Sequence, residues 1–163
     1  MANFVKKLLL IMLVFLFSAC SRDLPSDANG LGVLANEIEA EREEFEKAYN
    51  NWGAGDVVSS FTVFLDGSEV VLIDEHMTRG ATGRSVNRFY FYDDLLFCYR
   101  EKRTNQDGTV LEIELLFSKE GRVVEAKQLA DGTLSTVADY VVSMAVKHAK
   151  TLQDLVGAAA KER

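Results

Sequence analysis

One proline, two cysteines, two histidines and one tryptophan occur in the 163 residues of the chain, and each scarcity narrows the chemistry. With Cys20 and Cys98 as the only thiols, no disulfide framework can hold the fold together. His76 and His148 stand far apart and belong to no His-Glu-x-x-His arrangement, so neither a metal nor a cofactor is expected. There is no Gly-x-Ser-x-Gly elbow to present a nucleophilic serine. Gly80-Ala81-Thr82-Gly83 lacks the lysine and the strand-to-helix setting of a loop that cradles nucleotide phosphates. Basic residues are the minority, 18 against 25 acidic ones, and form no stripe with interleaved aromatics, so nucleic acid is not an expected partner. The apolar run from Leu8 to Phe17 falls short of the roughly 20 residues that cross a bilayer.

That short run has a distinctive setting. Lys6 and Lys7 precede it, and the small residues Ser18 and Ala19 lead to Cys20, the order of charge, apolar core and small residues that marks an export signal. Phe17-Ser18-Ala19-Cys20 resembles the lipobox of bacterial lipoproteins, departing from it in having Phe where Leu is usual. The resemblance implies that residues 1–19 are a signal peptide removed before Cys20, and that Cys20 carries diacylglyceryl and palmitate-type chains. Each buried methylene contributes about 0.8 kcal/mol, so two or three chains hold a domain firmly where one holds it reversibly. The expected place is the cell envelope, membrane-bound through Cys20. In Gram-negative members of the family, Ser rather than Asp at the next position, here Ser21, leans towards the outer membrane. Loss of Lys6 and Lys7 leaves 16 basic residues against 25 acidic ones, a mature net charge of −9. The resemblance spans about the first twenty residues and supplies an address, not an activity.

Beyond the signal, residues 20–32 are polar, hold Pro25, Gly30 and Gly32, and read as a lipidated terminus with a tether. A single domain is expected over 33–163. From Val33 to Trp52, strong helix formers combine with Leu34, Ile38, Phe45, Tyr49 and Trp52 on one helical face, and Glu43 with Lys47 makes an i, i+4 pair; Gly53 and Gly55 would stop the helix. Strands are expected over 57–65, 69–74, 87–92, 95–102, 109–117 and 122–129, joined by Asp- and Gly-containing turns that tolerate positive φ. Leu111, Ile113, Leu115 and Phe117 alternate with Val110, Glu112, Glu114 and Leu116, which predicts one core face. A second helix should begin near Ser135 or Thr136, with Val137, Val141, Met144, Ala145, His148, Leu152 and Leu155 as its apolar stripe. The fold class is therefore α+β, a multistranded antiparallel β-meander packed with an N-terminal and a C-terminal helix.

The candidate ligand or partner site is the glycine-containing segment after Asp74-Glu75-His76. Within it, His76, Arg79 and Arg84 could meet a partner or hold a carboxylate or phosphate through planar guanidinium forks. Asp74, Glu75 and His76 alternate across a strand and cannot converge on one ion without a bulge. His148, at helical spacing among apolar residues, reads as a core-edge side chain. Cys98, in Leu95-Leu96-Phe97-Cys98-Tyr99, reads as a small buried hydrophobe with an unreactive thiol. No residue is assigned a catalytic role. The expected function is a noncatalytic, membrane-anchored envelope lipoprotein that binds another envelope or secreted protein. A small-ligand carrier with a cavity between helix and sheet, and an envelope hydrolase using the His76 segment, are the alternatives.

Overall fold

The computed structural model describes residues 23–80 and 83–161, with side chains described as far as Gly157. The expected signal peptide and Cys20 lie outside the described residues. The chain runs α1 (Ala28–Glu41), β1 (Glu46–Ala54), β2 (Val57–Asp66), β3 (Glu69–Arg79), β4 (Gly83–Tyr92), β5 (Leu95–Thr104), β6 (Val110–Phe117), β7 (Val123–Ala130), β8 (Thr133–Ser135) and α2 (Asp139–Lys161). The strands form one antiparallel sheet in sequence order, β1 to β8. The expected α+β meander with a helix at either end is therefore the fold.

Both faces of this sheet are buried, where sequence alternation pointed to one core face. α2 lies on a cluster containing Phe61, Ile73, Phe89, Tyr99, Leu115 and Phe117, and α1 on a second cluster containing Phe64, Leu72, Tyr90, Cys98 and Leu116. Only the middle of the sheet is covered on both sides, and there the strands read as nearly continuous apolar runs. Ala145 and Ala149, one helical turn apart, let α2 approach the sheet closely, and Leu152 completes that contact. Met144, expected in the stripe, is instead 61% exposed.

Three register shifts occur at the same end of the sheet, beside Val71, Phe97 and Val124. Each places an extra residue in one strand, which bends it and deepens the local twist. At Phe97 the bulge brings consecutive Phe97 and Cys98 into the same α1-side cluster, against simple alternation.

The principal departure from expectation is at the first helix. It starts at Ala28, inside the stretch read as tether, where the Asp27 side chain accepts a hydrogen bond from the Gly30 amide at 2.9 Å. Leu31 is fully buried, and a Cβ at Gly30 would fall 2.7 Å from the Pro25 Cβ, so this glycine admits the preceding proline against the helix. The helix ends at Glu41 rather than near Trp52. From Glu46 the chain pairs with β2 over nine residues, Glu46 with Leu65 through Ala54 with Val57. Ala48 and Trp52 face the α2-side core while Tyr49 is 78% exposed, a period of two instead of the helical one. Asn50 and Asn51 are weak helix formers and the aromatics favour strands, so a long pairing with β2 outweighs a coincidental helical spacing. The Lys47–Glu43 ion pair does form, but across the junction between α1 and β1.

The candidate segment differs as well. β3 continues through His76 to Arg79, and β4 begins at Gly83, so the expected long loop is mostly strand. The second helix begins at Asp139, after the short strand β8 has taken up Thr133–Ser135.

Candidate functional site

A buried polar network lies between α2 and the sheet, centred on Glu75. Its side chain is fully buried and accepts four hydrogen bonds: from Trp52 Nε1 at 3.0 Å, Ser59 Oγ at 2.6 Å, Asn87 Nδ2 at 2.8 Å and His148 Nε2 at 2.8 Å. The tryptophan comes from β1, the serine from β2, the asparagine from β4 and the histidine from α2, so the carboxylate ties three strands to the helix that covers them. Trp52 and Phe89 flank the His148 ring at centroid distances of 5.6 Å. Burial pushes the Glu75 pKa up, but the hydrogen bond and charge of His148, with the hydrogen bonds of Ser59 and Asn87, outweigh it and leave the carboxyl below its ordinary value. An isolated buried carboxylate would be prohibitively costly; this one has its lone pairs filled.

The network continues across the sheet. Tyr99 Oη reaches Asn87 Oδ1 at 3.4 Å and donates to Glu101 Oε2 at 3.0 Å, and Glu101 in turn receives Arg103 through Nε at 2.8 Å and Nη2 at 2.7 Å. Burial, reinforced by the adjacent Glu101 carboxylate, raises the Tyr99 pKa, so its hydroxyl stays protonated and donating. Ser59 donates to Glu75 rather than to His148, which leaves it without the serine-to-histidine hydrogen bond that nucleophilic catalysis requires.

The sequence-predicted site residues are divided by the sheet. His76 lies on the α1 side, 64% exposed, with Nε2 at 3.7 Å from Asp74 Oδ1. Asp74 is buried on that side, where it receives Arg42 Nη2 at 3.0 Å, with Arg88 Nε at 3.6 Å. Arg79, by alternation with Glu75 and Met77, belongs to the α2 side, and its Nε contacts Met77 Sδ at 3.0 Å. Arg84 is exposed at a position paired with Thr78. His76 is thus separated from Arg79, and by the same alternation Arg84 belongs with His76, although Arg79 and Arg84 both border one cavity at this end of the sheet. This cavity, of about 220 Å³, is lined by Arg79, Gly83, Arg84, Ser85, Arg103 and Asn105. Ser85 is 4% exposed, and its Oγ has no hydrogen-bond partner among the described residues, an arrangement that ordinarily costs about 1–3 kcal/mol. Among the described residues, no three His, Cys, Asp or Glu side chains are grouped to hold a metal ion.

A larger opening lies on the α1 side. Because α1 covers only the bulged end of its face, the rest of that face forms a groove of about 420 Å³ over β4–β7, with Val86 and Leu129 in its floor. Cross-strand ion pairs line it, Arg100 with Glu114 at 2.8 Å and Lys102 with Glu112 at 2.8 Å. It continues into a second hollow of about 490 Å³ bounded by Asn29, Val33 and Asn36 of α1, with Arg100, Glu114 and Lys127 common to both. Between α2 and the sheet, the buried rings and aliphatic chains of the larger core cluster fill the middle, and a hollow of about 300 Å³ lined by Leu96, Phe117, Val146, Ala149 and Gln153 opens at the bulged end.

No family model matches the chain, and neither does any curated protein or solved structure. The fold and the site therefore stand on their own geometry. Sequence reasoning missed Glu75, Asn87, Glu101 and Arg103 as one constellation. Their signal was present: Glu75 lies between Ile73 and Met77, and Glu101 follows Tyr99, at inward positions of period two where an acidic residue requires buried partners.

Proposed function

We propose that this protein is a lipid-anchored envelope protein whose domain binds another envelope or secreted protein without catalysis. The observation that carries the binding reading is the groove beside α1. It is open, has apolar residues in its floor and is walled by charges of both signs, a composition suited to an amphipathic protein segment and not to a polyanion. The anchor reading rests on the lipobox-like Phe17-Ser18-Ala19-Cys20. The two fit together spatially. Leu24 packs against the α1-side cluster, and four residue steps at about 3.3–3.6 Å each separate it from Cys20. A lipidated Cys20 would hold the domain close to the membrane.

The test is photo-crosslinking in living cells with probes at Lys102 and Glu112, and a control probe at the Asp107 hairpin. One recurring protein captured from the groove positions alone, and lost when Lys102 and Lys127 are both changed to Glu, is the expected result. Absence of any groove-specific adduct from exported, membrane-bound protein would overturn the binding reading.

A further inference from the structure

At the end of the sheet opposite the bulges, where β3 turns into β4, the geometry points to a binding site for a phosphate group in the cavity lined by Arg79, Arg84, Ser85 and Arg103. The assignment is independent of the groove, which opens on β4–β7 beside α1.

Three arginines border one cavity, Arg79 and Arg103 from the α2 side of the sheet and Arg84 from a position that alternates to the other, and one of them is paired with Glu101, in a chain of net charge −7. Long-range repulsion of an anion by the rest of the molecule is screened beyond about 8 Å at physiological ionic strength, so the local charges decide. Arg103 is held by the buried Glu101, which takes its Nε and Nη2 and so fixes the plane of the fork. Glu101 in turn accepts the Tyr99 hydroxyl at 3.0 Å, so the arginine is preorganised by a carboxylate that is itself held in place.

Two further features belong to the cavity itself. The Ser85 hydroxyl, buried and without a partner among the described residues, is a donor lacking an acceptor. Gly83 has φ +123°, and a Cβ there would fall 2.3 Å from the Thr104 carbonyl oxygen, so only glycine lets the start of β4 close against the end of β5 and form the cavity wall. Guanidinium forks and a hydroxyl suit a group with several acceptor oxygens; a tetrahedral phosphate can meet more of these donors at once than the two oxygens of a carboxylate.

The experiment is calorimetric titration of the full-length protein in detergent with inorganic phosphate, glycerol 3-phosphate and acetate, each at matched low ionic strength. Saturable 1:1 binding of phosphate is expected, weakened about tenfold by Arg84→Gln and abolished in the Arg79→Gln/Arg84→Gln protein, with acetate at least about tenfold weaker. Arg84 is exposed, so its variant should keep the parent's circular dichroism and melting curve. In the parent, phosphate should also shift the Arg103 side-chain Nε–H resonance, a readout that does not depend on any variant folding. Equal affinity for the two phosphates would mean that the free ion suffices; tighter glycerol 3-phosphate would mean that the group arrives on a larger molecule. Failure of both phosphates to bind natively folded protein, undiminished binding by the double variant, or acetate binding as tightly as phosphate would each overturn the assignment.

Discussion

A single carboxylate, Glu75, joins more of the fold than any apolar side chain near it. Removing it as Glu75→Ala would leave Trp52, Ser59, Asn87 and His148 without their acceptor, and we expect a loss of about 3–5 kcal/mol, measured by urea unfolding. The pH dependence has a definite sign. The folded-state pKa lies below the ordinary glutamate value of about 4.3, so the stabilisation is fully present above that value and is lost as pH falls through the folded-state pKa. Glu75→Gln should therefore be less stable than the parent at about pH 7, with the gap narrowing towards about pH 3.5. A gap that widens in acid would show that the carboxyl is not held ionised. Cys98 makes the opposite case. Burial pushes its thiol up to about 12, so a Cys20→Ser protein should leave Cys98 unmodified by a disulfide reagent near neutral pH until denaturant exposes it. The apolar sequence around Cys98 already said this much; no local pattern said that Glu75 would meet His148, 73 residues away.

Within elements, the short helix α1 contains an internal control. A Cβ at Gly32 would meet nothing within 4 Å, whereas one at Gly30 would meet Pro25. Gly32→Ala should stabilise by about 0.5–1 kcal/mol, since alanine restricts the unfolded chain and suits a helix. Gly30→Ala should forfeit that gain or destabilise, and denaturant midpoints of the two variants side by side decide it. The end of α1 shows the limit of periodicity. Leu34 and Ile38 do lie on a helix, but Phe45, Tyr49 and Trp52 continue the same spacing in a segment that pairs with β2. A strand of nine residues is decided by its partner's hydrogen bonds and by Glu75 waiting for the indole, and neither is visible within the segment.

For the whole molecule, the proposed anchor and the proposed binding surface can be separated by experiment. Cys20→Ala should move the protein from the membrane to the soluble fraction while its denaturation curve stays unchanged. An unchanged membrane fraction would count against lipidation. In the same cells, the Lys102→Glu/Lys127→Glu protein should remain membrane-bound and lose only its crosslinks. Both lysines are half-exposed or more, so the changes should cost stability no more than about 1 kcal/mol.

What the sequence by itself determined was the fold class and most of the strands, because hairpin turns and period-two alternation are local and each is specified within a dozen residues. The unreactive environment of Cys98 and the core-edge place of His148 were legible for the same reason. Only the tertiary structure decided that both faces of the sheet are buried, that the segment from Phe45 to Trp52 is not helix, and that His76 stands apart from Arg79. It also decided that Glu75 gathers Trp52, Ser59, Asn87 and His148, and that Tyr99, Glu101 and Arg103 line up towards an arginine-lined cavity. Those outcomes depend on register between strands and on where each helix lies across them, contacts whose free energy exists only once distant segments have been brought together.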